Sequence, residues 1–204
     1  QQWVEFLRFR GPDGGRLWSN GPVGLVNTLL DTTGSALPVQ QPCTLDGKVW
    51  ISADARIDGQ HELKAKLTDA PADVLSRASD AELILHAYGK WGRGCLDHLI
   101  GDFSFAIWDD GEKRLFCARD HFGAKPFFYA DTVHRLLFGN TLNCLRLHPE
   151  VGSELDDRAI ADFLVYGMLV HLDRSAFAAV RRLPPAHCLT WSAQKGLSVR
   201  HYWT

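Results

Sequence analysis

Gly101-Asp102-Phe103-Ser104-Phe105-Ala106-Ile107-Trp108-Asp109 runs through the turn Asp109-Asp110-Gly111-Glu112 into Arg114-Leu115-Phe116-Cys117-Ala118, and this stretch decides the fold. Both runs are rich in aromatic and apolar residues, and the Asp-Gly turn between them predicts a β-hairpin. Working outward, residues 49–57, 126–129 and 136–139 read as further short strands. Turn signals recur at Gly11-Pro12-Asp13-Gly14-Gly15, Asn20-Gly21-Pro22 and Asp46-Gly47. The aromatics Trp50, Phe103, Phe105, Trp108, Phe127, Phe128 and Tyr129 fall at strand spacing and read as core packing before a ligand box. Ser79-Asp80-Ala81-Glu82 is a capping box that opens a helix continuing to Trp91, with Gly92 as its stop. Shorter helices are predicted over 59–67 and roughly 156–169, and Trp3, Val4, Phe6, Leu7 and Phe9 give one before Gly11-Pro12 an apolar face. Strands and helices do not alternate strictly, which favours antiparallel sheets stacked between helical layers over a doubly wound parallel sheet.

The 204 residues are 46% hydrophobic and 23% charged, enough to bury a substantial core without staples. A formal charge of −2 gives no electrostatic footprint for nucleic acid or an anionic membrane, and neither partner is expected. The longest apolar stretch, 159–172, is broken by Asp162 and too short to span a bilayer, so it reads as an amphipathic core helix. Five scattered cysteines with no C-x-x-C pair are expected to be buried, reduced thiols of a cytoplasmic protein. Cys144 and His148 match zinc spacing in isolation, and no metal is expected. No secretory leader is read at the start; Gln1-Gln2-Trp3 begins inside an amphipathic pattern, and upstream residues are expected.

Five motifs, in order, carry a family resemblance. They are Arg10-Gly11-Pro12-Asp13-Gly14, Ala78-Ser79-Asp80-Ala81-Glu82, the 101–109 strand, the run 115–129, and Leu183-Pro184-Pro185-Ala186-His187 with Tyr202-Trp203. Within the fourth, Arg119, Asp120, Gly123, Pro126 and Tyr129 follow an arginine-aspartate-x-x-glycine-x-x-proline-x-x-tyrosine pattern. Together they resemble the class II glutamine amidotransferase domain of the asparagine synthetase family. The resemblance implies an α+β fold, a four-layer α-β-β-α sandwich of two antiparallel sheets. It implies one domain over 1–204, lacking its first strand, followed in the same polypeptide by a C-terminal synthetase domain. Asp54-Ala55-Arg56-Ile57-Asp58 and Leu30-Asp31-Thr32-Thr33 make it closest to the bacterial branch containing lactam synthetases and lasso-peptide cyclases.

Glutamine hydrolysis in that family uses an N-terminal cysteine as nucleophile and its own amine as base. Here Gln1 stands first and no cysteine precedes Cys43, so no catalytic residue is assigned. The family's oxyanion asparagine-glycine pair falls at Asp54-Ala55, and an ionised carboxylate only accepts hydrogen bonds. The carboxylate-gripping arginine is expected within Asn27-Thr28-Leu29-Leu30, none of which is basic. Asp80 matches the aspartate that holds the glutamine ammonium, though an acid in a first helical turn also complements the helix dipole. Asp80, Asp54 and Ala55 thus mark a vestigial glutamine pocket. Arg10, Asp13, Arg119, Asp120, Gly123 and Pro126 are read as structural, with Arg119 and Asp120 as a strand-end ion pair. A Ser104–His121–Asp120 triad is the lesser alternative, since no nucleophile-elbow glycines flank Ser104.

Two functions follow from the resemblance. One is a domain without glutaminase activity in an amide-forming ligase. The other is a working glutaminase whose cysteine lies upstream of Gln1, binding glutamine. No cofactor is assigned to this chain; ATP and Mg belong to the synthetase half. A homodimer remains open.

Overall fold

The computed structural model describes residues 1–31 and 40–204. Its first part contains α1 (Gln2–Leu7), β1 (Gly14–Asn20), β2 (Val23–Leu29), β3 (Cys43–Thr44), β4 (Val49–Ile57), α2 (Gln60–Lys66), α3 (Ala72–Arg77) and α4 (Asp80–Trp91). A 3-10 helix, Gly92–His98, leads into β5 (Gly101–Asp109), β6 (Arg114–Arg119), β7 (Phe128–Asp131) and β8 (Leu136–Gly139). The chain continues through α5 (Leu142–Leu145), α6 (Asp157–Tyr166), β9 (Arg181–Arg182), β10 (His187–Ser192) and β11 (Gly196–His201).

The predicted hairpin is the centre of a six-stranded sheet of order β11-β10-β6-β5-β4-β3, antiparallel throughout. Gln41 extends its β3 edge, accepting from the Ala53 amide at 2.7 Å and donating to the Ala53 carbonyl at 3.1 Å. Side chains alternate across a strand, so β5 sends Phe103, Phe105 and Ile107 one way and Ala106 and Trp108 the other. The first set meets Leu63 of α2, Leu75 of α3 and the apolar face of α4. The second meets Trp18 and Leu25 of the β1–β2 hairpin together with Phe127, Tyr129, Leu136 and Phe138. β7, β8 and β9 form a three-stranded sheet of order β8-β7-β9. Its far side, through Ala130, Phe128 and Leu137, packs on Leu142 and Leu145 of α5 and on Trp3 of α1. Helices, sheet, sheets and helices therefore stack in four layers, the α+β sandwich implied by the resemblance.

α4 starts where its sequence dictates: Ser79 Oγ accepts from the Glu82 amide at 3.3 Å and Glu82 Oε2 accepts from the Ser79 amide at 2.8 Å. Residues 159–172 depart from expectation. The helix ends at Tyr166, Gly167 takes a left-handed φ of 71°, and Ala159 is the only buried residue in it. An apolar run has the same composition whether it faces a core or a partner, and its periodicity does not separate the two. Among the described residues no helix is long and apolar enough to cross a membrane.

Arg119 and Asp120 also differ from expectation, because they do not pair with each other. The buried Arg119 guanidinium donates to the carbonyls of Lys125 at 2.6 Å, Gly123 at 2.6 Å and Leu183 at 2.8 Å. Asp120, 1% exposed, accepts from the amides of Phe122 at 3.2 Å, Ala124 at 2.8 Å and Lys125 at 2.9 Å. Cation and anion thus satisfy opposite polarities of the same turn, which carries the chain from the large sheet to the small one. Gly123 has φ 71°, and a Cβ there would lie 2.8 Å from Pro185 and 2.9 Å from Arg119, so no other residue fits. Arg119→Lys replaces a planar fork by a point charge that cannot reach three carbonyls in two loops. It is expected to destabilise the domain by about 2–4 kcal/mol, read from urea unfolding. A loss under about 0.5 kcal/mol would show that the turn holds without the guanidinium.

Candidate functional site

The gap between the large sheet and the smaller sheets gathers polar side chains from four separate parts of the chain. Asp54 stands on β4 and projects away from the helix-facing side, where Ala55 and Ile57 pack. Lys125, from the turn that Arg119 and Asp120 hold, places Nζ 2.7 Å from Asp54 Oδ1. Asn140, after β8, donates from Nδ2 to Asp54 Oδ2 at 3.3 Å. Thr141 donates to Asn140 Oδ1 at 3.2 Å and accepts from Arg10 Nη1 at 3.3 Å. Two residues back along β4, Ser52 accepts from Asn27 at 3.4 Å and donates to the Val26 carbonyl at 3.2 Å. The turn that carries Arg10 is itself pinned. A Cβ on Gly11 would sit 2.5 Å from the Thr28 carbonyl carbon, and Asp13 Oδ2 accepts from the Asp31 amide at 2.8 Å.

Both oxygens of Asp54 are therefore engaged, one by a cation and one by an amide. The unpaired, repelling carboxylate suggested by the substitution alone is instead a neutralised one. In both contacts it is the acceptor, and an acceptor offers nothing to a developing oxyanion. Asp80 lies on the other side of β4, where Oδ1 accepts from the Ile57 amide at 3.1 Å and from Gln60 Nε2 at 2.8 Å. It ties the start of α4 to the end of β4 and shares no contact with Asp54, Lys125 or Asn140. No hydrogen bond to Asp80 Oδ2 is made among the described residues. Thr32 and Thr33 lie outside the described residues.

Among the described residues, four thiols are raised rather than activated. Burial pushes the Cys43 thiol up to about 11, with Glu82 adding to the effect and Arg16 opposing it. Burial likewise drives Cys95 and Cys144 up to about 12, and Cys117 well above the ordinary thiol range. Ser104 is buried on β5 and the Asp120 carboxylate is spent on backbone amides. The His121 ring stands edge-on to Phe103, Tyr202 and Trp203, so no triad forms. Among the described residues no cluster of metal-ligating side chains exists.

Lys125, Asn140 and Thr141 escaped sequence reading because they reach Asp54 only through long-range folding. Lys125 occupies a variable position inside the Arg119–Tyr129 pattern, and that was its only signal. Arg16 was also missed: the register of β1 and β2 sets it directly across from Asn27, on the strand next to the one where a basic residue was sought.

Over residues 1–203 the chain matches the family described as glutamine amidotransferase domain. It is 32% identical over 204 residues to asparagine synthetase (glutamine-hydrolyzing) 3 of Bacillus subtilis strain 168, covering 98% of this chain and 33% of that protein. It is 30% identical over 190 residues to asparagine synthetase (glutamine-hydrolyzing) 2 of the same organism, covering 91% and 25%. The chain thus spans 33% or less of the length of these curated relatives. Among solved structures, a glutamine phosphoribosylpyrophosphate amidotransferase from B. subtilis complexed with ADP and GMP aligns at TM-score 0.56 and 14% identity, covering 89% of this chain and 35% of that one. At that identity the likeness carries the fold alone.

Two measurements check the site as described. A double-mutant cycle of Asp54→Asn and Lys125→Met is expected to give a coupling of about 0.5–1 kcal/mol that shrinks at high salt, since both side chains are about a third exposed. Additive effects would mean the pair is not formed in solution. Burial holds the His121 imidazole below its ordinary value of 6.5, against the opposing pull of Asp120. A depressed folded value means that the unfolded chain takes the proton first, so stability present above pH 6.5 is lost as the pH falls. His121→Phe is expected to flatten the decline of Tm on acidification; an unchanged slope would assign it to other groups, with His86, also depressed by burial, the next to test.

Proposed function

The chain belongs to the family of glutamine amidotransferase domains, with asparagine synthetases as relatives, and on that premise we propose that it does not itself hydrolyse glutamine. In this reading it is a retained scaffold within an ATP-dependent, amide-forming ligase. The observation that carries the reading is the Asp54–Lys125 ion pair, closed by Asn140, at the position where the resemblance expects an oxyanion-stabilising asparagine. Stabilising the tetrahedral intermediate needs donors aimed at the new charge, and losing one costs about 10²–10³ in rate. Here the position is held by an acceptor that already has a cation and an amide of its own. The non-basic Asn27-Thr28-Leu29-Leu30 segment points the same way.

A ligase half elsewhere in the polypeptide would bind ATP and magnesium and adenylate a carboxylate, releasing pyrophosphate. An amine held in the same substrate or peptide would then displace AMP and form the amide, as in lactam synthetases and lasso-peptide cyclases. Such a reaction draws no ammonia from glutamine, so the pocket is released from its chemistry while its fold is still needed.

The glutamine-hydrolyzing activity for which the relatives are named favours a second reading, in which the chain is a working glutaminase. It requires a cysteine upstream of Gln1 that becomes the amino terminus, Arg16 in place of the missing carboxylate grip, and the open Asp80 oxygen for the substrate ammonium. Glutamate and ammonia release from glutamine by the complete polypeptide, with amino-terminal sequencing of the same sample, separates the two. No turnover above the uncatalysed rate from a folded protein is expected. Turnover with an amino-terminal cysteine would overturn the scaffold reading.

A further inference from the structure

The 3-10 helix Gly92–His98 and the end of β11 border a recess of about 430 Å³, lined by Arg93, Gly94, Leu96, Asp97, Arg200 and Tyr202. That size falls within the usual range of small-molecule sites. The recess opens on the helix-facing side of the large sheet, since Arg200 stands opposite Cys188, which belongs to the helix-side core. Asp54 projects from the other side, and the two places share no residue.

The walls of the recess are fixed. Leu96 is buried in the core beside Cys95. Tyr202 is held at both ends, its amide donating to the Ala186 carbonyl at 2.9 Å and its hydroxyl to the Arg119 carbonyl at 2.8 Å. The charged groups, in contrast, are uncommitted. Among the described residues neither the Arg93 nor the Arg200 guanidinium makes a hydrogen bond or an ion pair, and Asp97 pairs with neither. Other arginines of the domain are spent, Arg119 on carbonyls and Arg174 and Arg181 on carboxylates. Two guanidinia in one hollow repel each other, and the single carboxylate beside them leaves a formal charge of +1. An oxyanion relieves that repulsion, because each planar fork presents parallel N–H donors to a pair of oxygens. Arg77 on α3 and Arg158 on α6 are exposed and also without side-chain partners, which makes them the comparison for guanidinia that are merely solvated.

We infer that this recess binds a small oxyanion, a phosphate or carboxylate compound gripped by Arg93 and Arg200 against the Tyr202 wall. Asp97 suits a ligand that also carries a hydroxyl or an amine, since a carboxylate accepts from either. The site stands apart from the glutamine pocket and holds whether or not the chain hydrolyses glutamine.

Phenylglyoxal, which attacks uncommitted guanidinium groups, tests it on the complete polypeptide, with each arginine followed by mass-spectrometric peptide mapping. Without an added anion, Arg93, Arg200, Arg77 and Arg158 are all expected to react. Millimolar inorganic phosphate or citrate is expected to slow modification of Arg93 and Arg200 several-fold and to leave Arg77 and Arg158 unchanged. Sodium chloride at equal ionic strength is expected to protect none of them. In Arg200→Gln, an exposed position outside the core, the protection of Arg93 is expected to vanish while Tm is retained. Selective protection by either anion supports the site, and the one acting at lower concentration identifies its oxyanion. Protection by neither, equal protection of all four arginines, or protection matched by chloride would overturn it. So would undiminished protection of Arg93 in Arg200→Gln, or an Arg93 and Arg200 that fail to react when no anion is present.

Discussion

One guanidinium and one carboxylate, adjacent in the chain, set the geometry on which the two sheets depend. A buried charge is tolerated only when its hydrogen-bonding capacity is met, and charge-assisted bonds to backbone are the strong kind. Arg119 spends its fork on carbonyls before and after the small sheet's first strand, including Leu183, 64 residues away. Asp120 spends its oxygens on the amides that the same turn leaves open. The corner at 120–126 is thereby rigid, and it aims Lys125 across the gap at Asp54. Tyr202 adds its hydroxyl to the Arg119 carbonyl at 2.8 Å, so the last strand region closes on the same point.

This arrangement explains which parts were legible in the sequence. β4 and β8 were found residue for residue, β5 and β6 to within two residues at each end, and the capping box fixed the start of α4. Each rests on local signals: alternation, turn residues and a side chain reaching three positions along. The β1–β2 hairpin was missed as strands because its residues, apart from Trp18 and the inner side of β2, are exposed and polar or glycine-rich. Its Asn20-Gly21-Pro22 turn was the one sign it left.

The candidate site was half legible. Motif order located Asp54 and Asp80, but a substitution read by itself says nothing of what comes to meet it. Asp54 reads as a repelling charge in isolation and as a neutralised one beside Lys125 and Asn140, brought from 71 and 86 residues on. Asp80 shows the converse, a residue matched to ligand chemistry whose inner oxygen is taken up by the strand it abuts. The apolar run after Ala159 failed for a third reason. An exposed apolar helix and a buried one share composition and periodicity, so neither signal told them apart.

The central strands have a consequence for how such a domain ages. β5 and β6 are buried on both faces, from Phe103 to Trp108 and from Leu115 to Arg119. No side chain there can drift without disturbing one core or the other, whereas the gap that holds Asp54 can be refilled by any self-satisfied set of polar groups. Ancestry is therefore written into the least chemical part of the molecule. A lineage identified by its middle strands retains that inscription long after its reaction has changed, and kinship of this kind dates the architecture rather than the trade.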